Sequence, residues 1–258
     1  MNRNLVSIVS GGTRGIGSQI RDELLRRGHS VIFIGSTEDS VNRNQPQINL
    51  NQGQFVKGIS INFQEWPTWV KSPWHQVIRE AGQLATELQS DDLMAGIDKK
   101  NYRLDTLVNC AGITQTKSAI KTGPGDMASI MNVNFMSSVS LTQLVIKQMI
   151  RNSTVDGKRG RIVNIASILG DIRADVTVPG TAIYSASKAA VIQYNRVLSE
   201  ELARWKIDVQ TISPALVEST DMIQTLDHET LQKLRQRVGN GRLTTIQGIL
   251  AEMGLSQE

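Results

Sequence analysis

Tyr184-Ser185-Ala186-Ser187-Lys188 sets a phenol and an ammonium four residues apart. On a helix that spacing brings both side chains to one face, one turn apart. A free phenol has a pKa near ~10 and is a poor acid or base at neutral pH; an adjacent cation favours its phenolate and draws that value down. The small residues between the two leave room for a ligand. Tyr and Lys four apart also occur on any solvated helix, so the pair acquires chemical meaning only from what the chain sets beside it.

A second constellation is Ser10-Gly11-Gly12-Thr13-Arg14-Gly15-Ile16-Gly17. It follows the apolar run Leu5-Val6-Ser7-Ile8-Val9 and precedes a helical pattern through Ile16, Ile20, Leu24 and Leu25. A glycine turn between strand and helix lets a pyrophosphate approach the free amides of the helix N-terminus, where the dipole favours an anion. In that position it signals a dinucleotide site. The second strand, residues 31–34, is followed by Gly35-Ser36-Thr37, with no acid to bind a ribose diol and repel a 2′-phosphate. Arg14 can meet such a phosphate, so NADPH is expected over NADH.

The elements that must position these groups follow from hydrophobic pattern. Further strands are expected at residues 55–61, 106–109, 161–166 and 208–212, and helices at about 126–151 and 184–205. Alternating strands and helices predict one α/β domain over residues 1–258, a doubly wound parallel sheet covered on both faces. Residues 36–54, rich in Asn, Gln and Ser, read as a surface connection. A long excursion before Thr106 carries Trp66, Trp69 and Trp74, expected to anchor it against the sheet, and a helix from about 75 to 88. After Ile212 the pattern Ile246, Ile249, Leu250, Met253 is helical and no further strand follows, so the sheet is expected to lack a last strand.

Composition narrows the classes. The net charge of +4 suits an anionic partner, but Lys and Arg are scattered, aromatics are 4% and no nucleic-acid motif is visible, so nucleic acid is not expected. No apolar run approaches the ~18 residues of a membrane span. His29, His75 and His228 lack a metal-ligand spacing, and no metal is expected. The lone Cys110 rules out an internal disulfide and fits a reducing compartment. Met1-Asn2-Arg3-Asn4 passes directly into an apolar run, so no separate signal or transit peptide is expected, an internal or very short address being the alternative.

Ser10-Gly11-x-x-x-Gly15-x-Gly17, Asn109-Cys110-Ala111-Gly112, Asn134, Ser167 and Tyr184-x-x-x-Lys188, in this order, resemble the short-chain dehydrogenase/reductase pattern over almost the whole chain. The resemblance implies a Rossmann-like fold and four catalytic residues. Tyr184 would donate a proton to a carbonyl as hydride arrives, and Ser167 would polarise that oxygen. Lys188 would bind the nicotinamide ribose and lower the Tyr184 pKa, while Asn134 would hold a water relaying protons to Lys188.

Cofactor contacts are implied for Gly11, Thr13, Arg14, Gly15, Ile16 and Gly17 in the glycine turn, with Ser36 beside it. Asn62, where an aspartate is more usual, would meet the adenine, and Asn109, Ala111 and Gly112 the adenosine ribose. Tyr184, Lys188, Pro214, Val217 and Thr220 would surround the nicotinamide end. Cys110 replaces a more usual asparagine and reads as buried and unreactive, and Ala215 replaces a glycine. The loop over residues 171–183 is longer than the family's usual gap and lies over the substrate pocket.

Within the family, Ile130-Met131-Asn132-Val133-Asn134-Phe135-Met136-Ser137, Val178-Pro179-Gly180-Thr181 and Thr220-Asp221-Met222-Ile223-Gln224 are similar to 3-oxoacyl-acyl-carrier-protein reductases of the fungal mitochondrial type. This implies NADPH-dependent reduction of a 3-oxoacyl to a 3-hydroxyacyl chain on an acyl carrier protein, in fatty acid biosynthesis. It also implies a mitochondrial matrix location, with the cytoplasm otherwise. A homodimer or homotetramer would pack the helices holding Asn134 and Tyr184, with Ala190, Val191, Tyr194 and Leu198 on the packed face. An acidic carrier protein suits the basic group Lys158, Arg159, Arg161, Arg173, Arg204 and Lys206. Two other readings are a reductase for another small ketone or alcohol, and a non-catalytic nucleotide-binding protein on the same fold.

Overall fold

Runs of aliphatic and β-branched residues form six strands: β1 (Asn4–Ser10), β2 (Ser30–Gly35), β3 (Val56–Ser60), β4 (Tyr102–Asn109), β5 (Gly160–Ile165) and β6 (Ile207–Ile212). A computed structural model describes residues 4–65, 101–115, 117–174, 176–217, 232, 235–236 and 244–255. Every strand pair is parallel, in the order β3-β2-β1-β4-β5-β6. Among the described residues the sheet has no seventh strand. The Trp66-Trp69-Trp74 region, the helix expected at 75–88 and Thr220 lie outside the described residues.

Helices α1 (Gly15–Arg26), α2 (Glu38–Arg43), α3 (Pro124–Met131), α4 (Ser137–Met149), α5 (Ala182–Ala203) and α6 (Ile246–Glu252) complete a doubly wound, Rossmann-like α/β fold. Alternate residues of the strands serve opposite faces, as the period of two requires. Ile8, Ile32, Leu107 and Ile162 pack with Leu141, Val145, Leu198 and Leu202 on one side. Val9, Phe33, Val108 and Val163 pack with Ile20, Leu24, Ile249 and Met253 on the other. Each fully buried aliphatic side chain contributes about 1.5–3 kcal/mol relative to exposure.

Three elements depart from expectation. Strand β4 starts four residues earlier than its apolar core, because Arg103 is buried and the register with β1 slips between Val6 and Ser7, bulging Asp105 out of the ladder. Part of the polar connection 36–54 is helix α2: the Thr37 hydroxyl caps the Ser40 N–H at 3.1 Å, and only Val41 is buried, so little periodicity marks it. The single helix expected at 126–151 is interrupted by a π-type turn, Asn132–Met136, joining α3 to α4. Such turns concentrate at functional sites, and this one carries Asn134.

The order of strands reverses between β1 and β4. Their carboxyl ends therefore diverge and leave a crevice, the usual ligand position in open α/β sheets.

Candidate active site

A cavity of about 470 Å³ occupies that crevice. Its wall comes from the segments that follow β1, β2, β3 and β4: residues of the glycine turn, Gly35 and Ser36, Ile61 to Gln64, and Cys110 to Thr114. The glycine turn is shaped by contact rather than by flexibility alone. Gly11 has φ +66°, and a Cβ there would lie 2.8 Å from the Ala111 backbone; a Cβ on Gly17 would run into the Gly11 carbonyl. The Ser10 hydroxyl ties the turn to the loop after β4 by accepting the Cys110 and Ala111 N–H groups at 3.1 and 3.3 Å. Arg14 precedes α1 without a side-chain capping bond. A turn that brings Gly11, Gly15 and Gly17 to the cavity at a helix N-terminus fits a dinucleotide pyrophosphate.

The sequence-predicted contacts divide. Gly11, Thr13, Arg14, Gly15, Ile16, Gly17, Ser36, Asn62, Ala111 and Gly112 all line the cavity. Asn62 does so with its side chain engaged locally: its Nδ2 donates to Glu65 Oε1 at 2.8 Å and its Oδ1 accepts the Gln64 N–H at 3.2 Å. Asn109 points into the core instead of the cavity. Its Nδ2 donates to Asn164 Oδ1 at 2.7 Å and to Thr142 Oγ1 at 3.1 Å, and the chain of amides runs on through Asn195 to Thr211. Its place is structural, because it is the last residue of β4 and its side chain falls on the covered face. Pro214 and Val217 are buried outside the cavity wall, Val217 within the core cluster around Ile212.

At the crevice's other side the four reactive candidates come together. The Ser167 hydroxyl, just beyond β5, accepts the Leu169 N–H at 3.2 Å and lies near enough to the Tyr184 phenol to favour its ionised form. Lys188, one turn along α5, donates its Nζ to the Ile165 carbonyl at 2.9 Å. A Cβ on Gly112 would sit 3.5 Å from Lys188 Nζ and 3.6 Å from Asn134 Oδ1, which places both beside the cavity wall. Asn134, 1% exposed, accepts the Ile113 N–H at 2.8 Å and donates to the Ile113 carbonyl and to Ser187 Oγ, both at 3.0 Å. Ser187 in turn donates to the Tyr184 carbonyl at 2.6 Å. Ser187 was not singled out from sequence: a small residue between Tyr and Lys carries no signal of its own.

The electrostatics differ from expectation at one point. Burial raises the Tyr184 pKa, outweighing the effect of the Ser167 hydroxyl, which lowers it. Lys188 was expected to depress that value. Its ammonium is instead engaged with Ile165 and is itself destabilised, its pKa lowered to about 8 by burial against a smaller raising effect of Cys110. Burial pushes the Cys110 thiol up to about 11, so the thiol is protonated and a poor nucleophile at neutral pH.

A glycine-built crevice beside a Ser, Tyr and Lys cluster is the arrangement of a nucleotide-dependent carbonyl chemistry. A family model described as short chain dehydrogenase matches residues 75–231, more than half of the chain. The chain belongs to that family. Short-chain dehydrogenases are oxidoreductases with an NAD(P) nucleotide cofactor. A 3-oxoacyl-[acyl-carrier-protein] reductase FabG of Aquifex aeolicus is 30% identical over 237 residues, covering 92% of this chain and 83% of the relative. A 3-oxoacyl-[acyl-carrier-protein] reductase of Bos taurus is 27% identical over 228 residues, covering 88% and 81%. Among solved structures, a dehydrogenase/reductase from Sinorhizobium meliloti superposes with TM-score 0.70 at 24% identity, over 98% of this chain and 87% of that one, a likeness of fold.

Two surface expectations change. Lys158, Arg159, Arg204 and Lys206 precede β5 and β6, at the amino edge of the sheet, whereas Tyr184 stands at the carboxyl edge. Within one chain the basic group is therefore divided between the two edges of the sheet; Lys158 pairs with Asp208 at 2.7 Å, and Arg173, on the carboxyl side with Tyr184, pairs with Asp171 at 2.9 Å. On the face proposed for packing between copies, Val191 and Leu198 are 2% and 6% exposed because they serve the chain's own core. Ala190 and Tyr194 remain half-buried, Tyr194 edge-on to Phe135 with ring centres 6.0 Å apart.

Proposed function

We propose that the protein reduces the 3-oxo group of an acyl chain on acyl carrier protein to a 3-hydroxy group with NADPH, as a step of fatty acid biosynthesis. The observation that carries this reading is the convergence of Ser167, Tyr184 and Lys188, with Lys188 Nζ set beside Gly112 of the glycine-built cavity's wall. The reductase names of the relatives support the substrate. The residue directly after β2 is Ser36 rather than an acid, and Ser36 and Arg14 both lie on the cavity wall, which supports NADPH.

When bound, the dinucleotide supplies the hydride. The chain's residues do the rest. The Ser167 hydroxyl holds the carbonyl oxygen, and Tyr184 gives it a proton, a task suited to a phenol that burial keeps protonated at neutral pH. The Lys188 ammonium, fixed by Ile165, holds positive charge near the reacting groups and can bind a ribose hydroxyl. Asn134 fixes the loop after β4 through Ile113, with one Oδ1 lone pair left for a water. A mitochondrial matrix location and a homo-oligomer belong to the same proposal, on resemblance.

The test is a comparison of turnover with 3-oxoacyl carrier protein, the same acyl group on a small thioester, and simple ketones, each with NADPH and NADH. Fastest turnover is expected with the carrier-linked substrate and NADPH. Turnover confined to small ketones would favour the reading as a general carbonyl reductase, and cofactor binding without turnover the non-catalytic reading.

A further inference from the structure

Helix α5 carries Tyr184 in its first turn, and its amino end is capped from elsewhere. The first N–H groups of a helix lack intrahelical partners and are usually bonded by the side chain of the residue just before it. Thr181, in that position, makes no such bond. Its hydroxyl donates to the Val178 carbonyl at 2.7 Å. The acceptor is Gln115, on the loop after β4: its Oε1 receives the Ile183 N–H at 2.8 Å and the Tyr184 N–H at 3.2 Å. Its Nε2 donates to the Lys117 carbonyl at 2.7 Å and to Thr122 Oγ1 at 3.0 Å. Two bonds accepted and two donated satisfy the amide and fix its orientation, since only the NH2 end can give a proton to a carbonyl. The residue is 4% exposed.

We infer that Gln115 is the positioning residue for the Tyr184 phenol. This rests on Tyr184 being the proton donor proposed above. The cap acts on the backbone of Tyr184 itself, and the loop that supplies it also supplies the cavity wall from Cys110 to Thr114 and, through Ile113, the partner of Asn134. One segment therefore sets the phenol in register with the nucleotide crevice. A displacement of about 1 Å at such a site can lower turnover roughly 100-fold without touching the reacting atoms.

The test compares Gln115→Met, which keeps length and loses all four bonds, with Gln115→Glu, whose carboxyl keeps an acceptor for the two N–H groups and, protonated, a donor for the Lys117 carbonyl, measured on the acid side of its titration. Gln115→Met is expected to lower kcat roughly 10- to 100-fold, with the cofactor dissociation constant and KM near parental. Amide hydrogen exchange at Ile183 and Tyr184 should quicken in the same variant. Gln115→Glu should slow that exchange again and return most of kcat. Unchanged exchange and unchanged kcat in Gln115→Met would overturn the inference, as would a kcat loss that Gln115→Glu shares in full. If Gln115→Met does not fold, Gln115→Asn, too short to reach the helix, carries the same expectations. The exchange reading is independent of substrate, so a parent protein without carbonyl reduction would count against the proposed function while exchange still decides the cap.

Discussion

The two sides of the crevice are built differently. On the side of β4, β5 and α5, Asn134, Ser187, Gln115 and Lys188 are buried and bonded across elements, linking residues 21 to 69 positions apart in sequence. On the side of β2 and β3, Arg14, Ser36 and Asn62 are exposed, and Asn62 bonds only within its own turn. The first side is preorganised, as charge-stabilising and proton-transferring groups must be. The second can change its side chains at little structural expense, and on the proposed function it is the side expected to set the choice between related nucleotides.

The largest expected effect belongs to the preorganised side. Tyr184→Phe should lower turnover roughly 100- to 10,000-fold while the cofactor dissociation constant, followed by fluorescence titration, stays put. Parental turnover in this variant would remove the phenol from the mechanism. Asn134→Ala takes the partner from both the Ile113 N–H and the Ile113 carbonyl, each such group costing about 1–3 kcal/mol where it is buried. Thermal unfolding should report a clear loss of stability together with reduced kcat.

Lys188 gives a pH signature. Its ammonium is needed in the charged form, so reduction should fall as pH rises through about 8, and the limb should vanish in Lys188→Met. The sign for stability is opposite. Lys188 binds its proton less tightly folded than unfolded, about 8 against 10.5, so the unfolded chain holds more protons between those values. From this group, stability increases as pH rises from about 8 to 10.5. Denaturant midpoints across that range, parent against Lys188→Met, measure it.

The smallest effect is expected on the exposed side. Ser36→Asp should move the ratio of kcat/KM for NADPH over NADH roughly tenfold toward NADH by repelling a 2′-phosphate, with an unchanged unfolding curve. An unchanged ratio would show that the choice is made elsewhere.

The contrast also explains what could be seen in the sequence. Strands β1, β2 and β5 announce themselves because they are largely buried on both faces and read as apolar runs; β6, with only Ile207 and Ile212 buried, is marked more weakly, by Ile207, Val209 and Ile212. The start of β4 was hidden by Arg103 and Asp105, charged residues that a buried strand edge accommodates through a bulge. The glycine turn, Tyr184 and Lys188 were legible because their chemistry depends on local spacing. Gln115 and Ser187 were not, because their meaning lies in partners that only folding brings near. The direction of the Tyr184 pKa is not legible for a related reason: spacing shows the cation, and only the fold shows that the Ile165 carbonyl engages it and that burial is the larger effect.

The most direct test of the account is to supply NADPH carrying deuterium at the transferable position together with a 3-oxoacyl carrier protein, and to analyse the product acyl chain by mass spectrometry. The account predicts a 3-hydroxyacyl chain with deuterium at carbon 3 in the parent protein, and almost none in Tyr184→Phe. An unreduced 3-oxoacyl chain in the parent, or full label transfer in Tyr184→Phe, would contradict it.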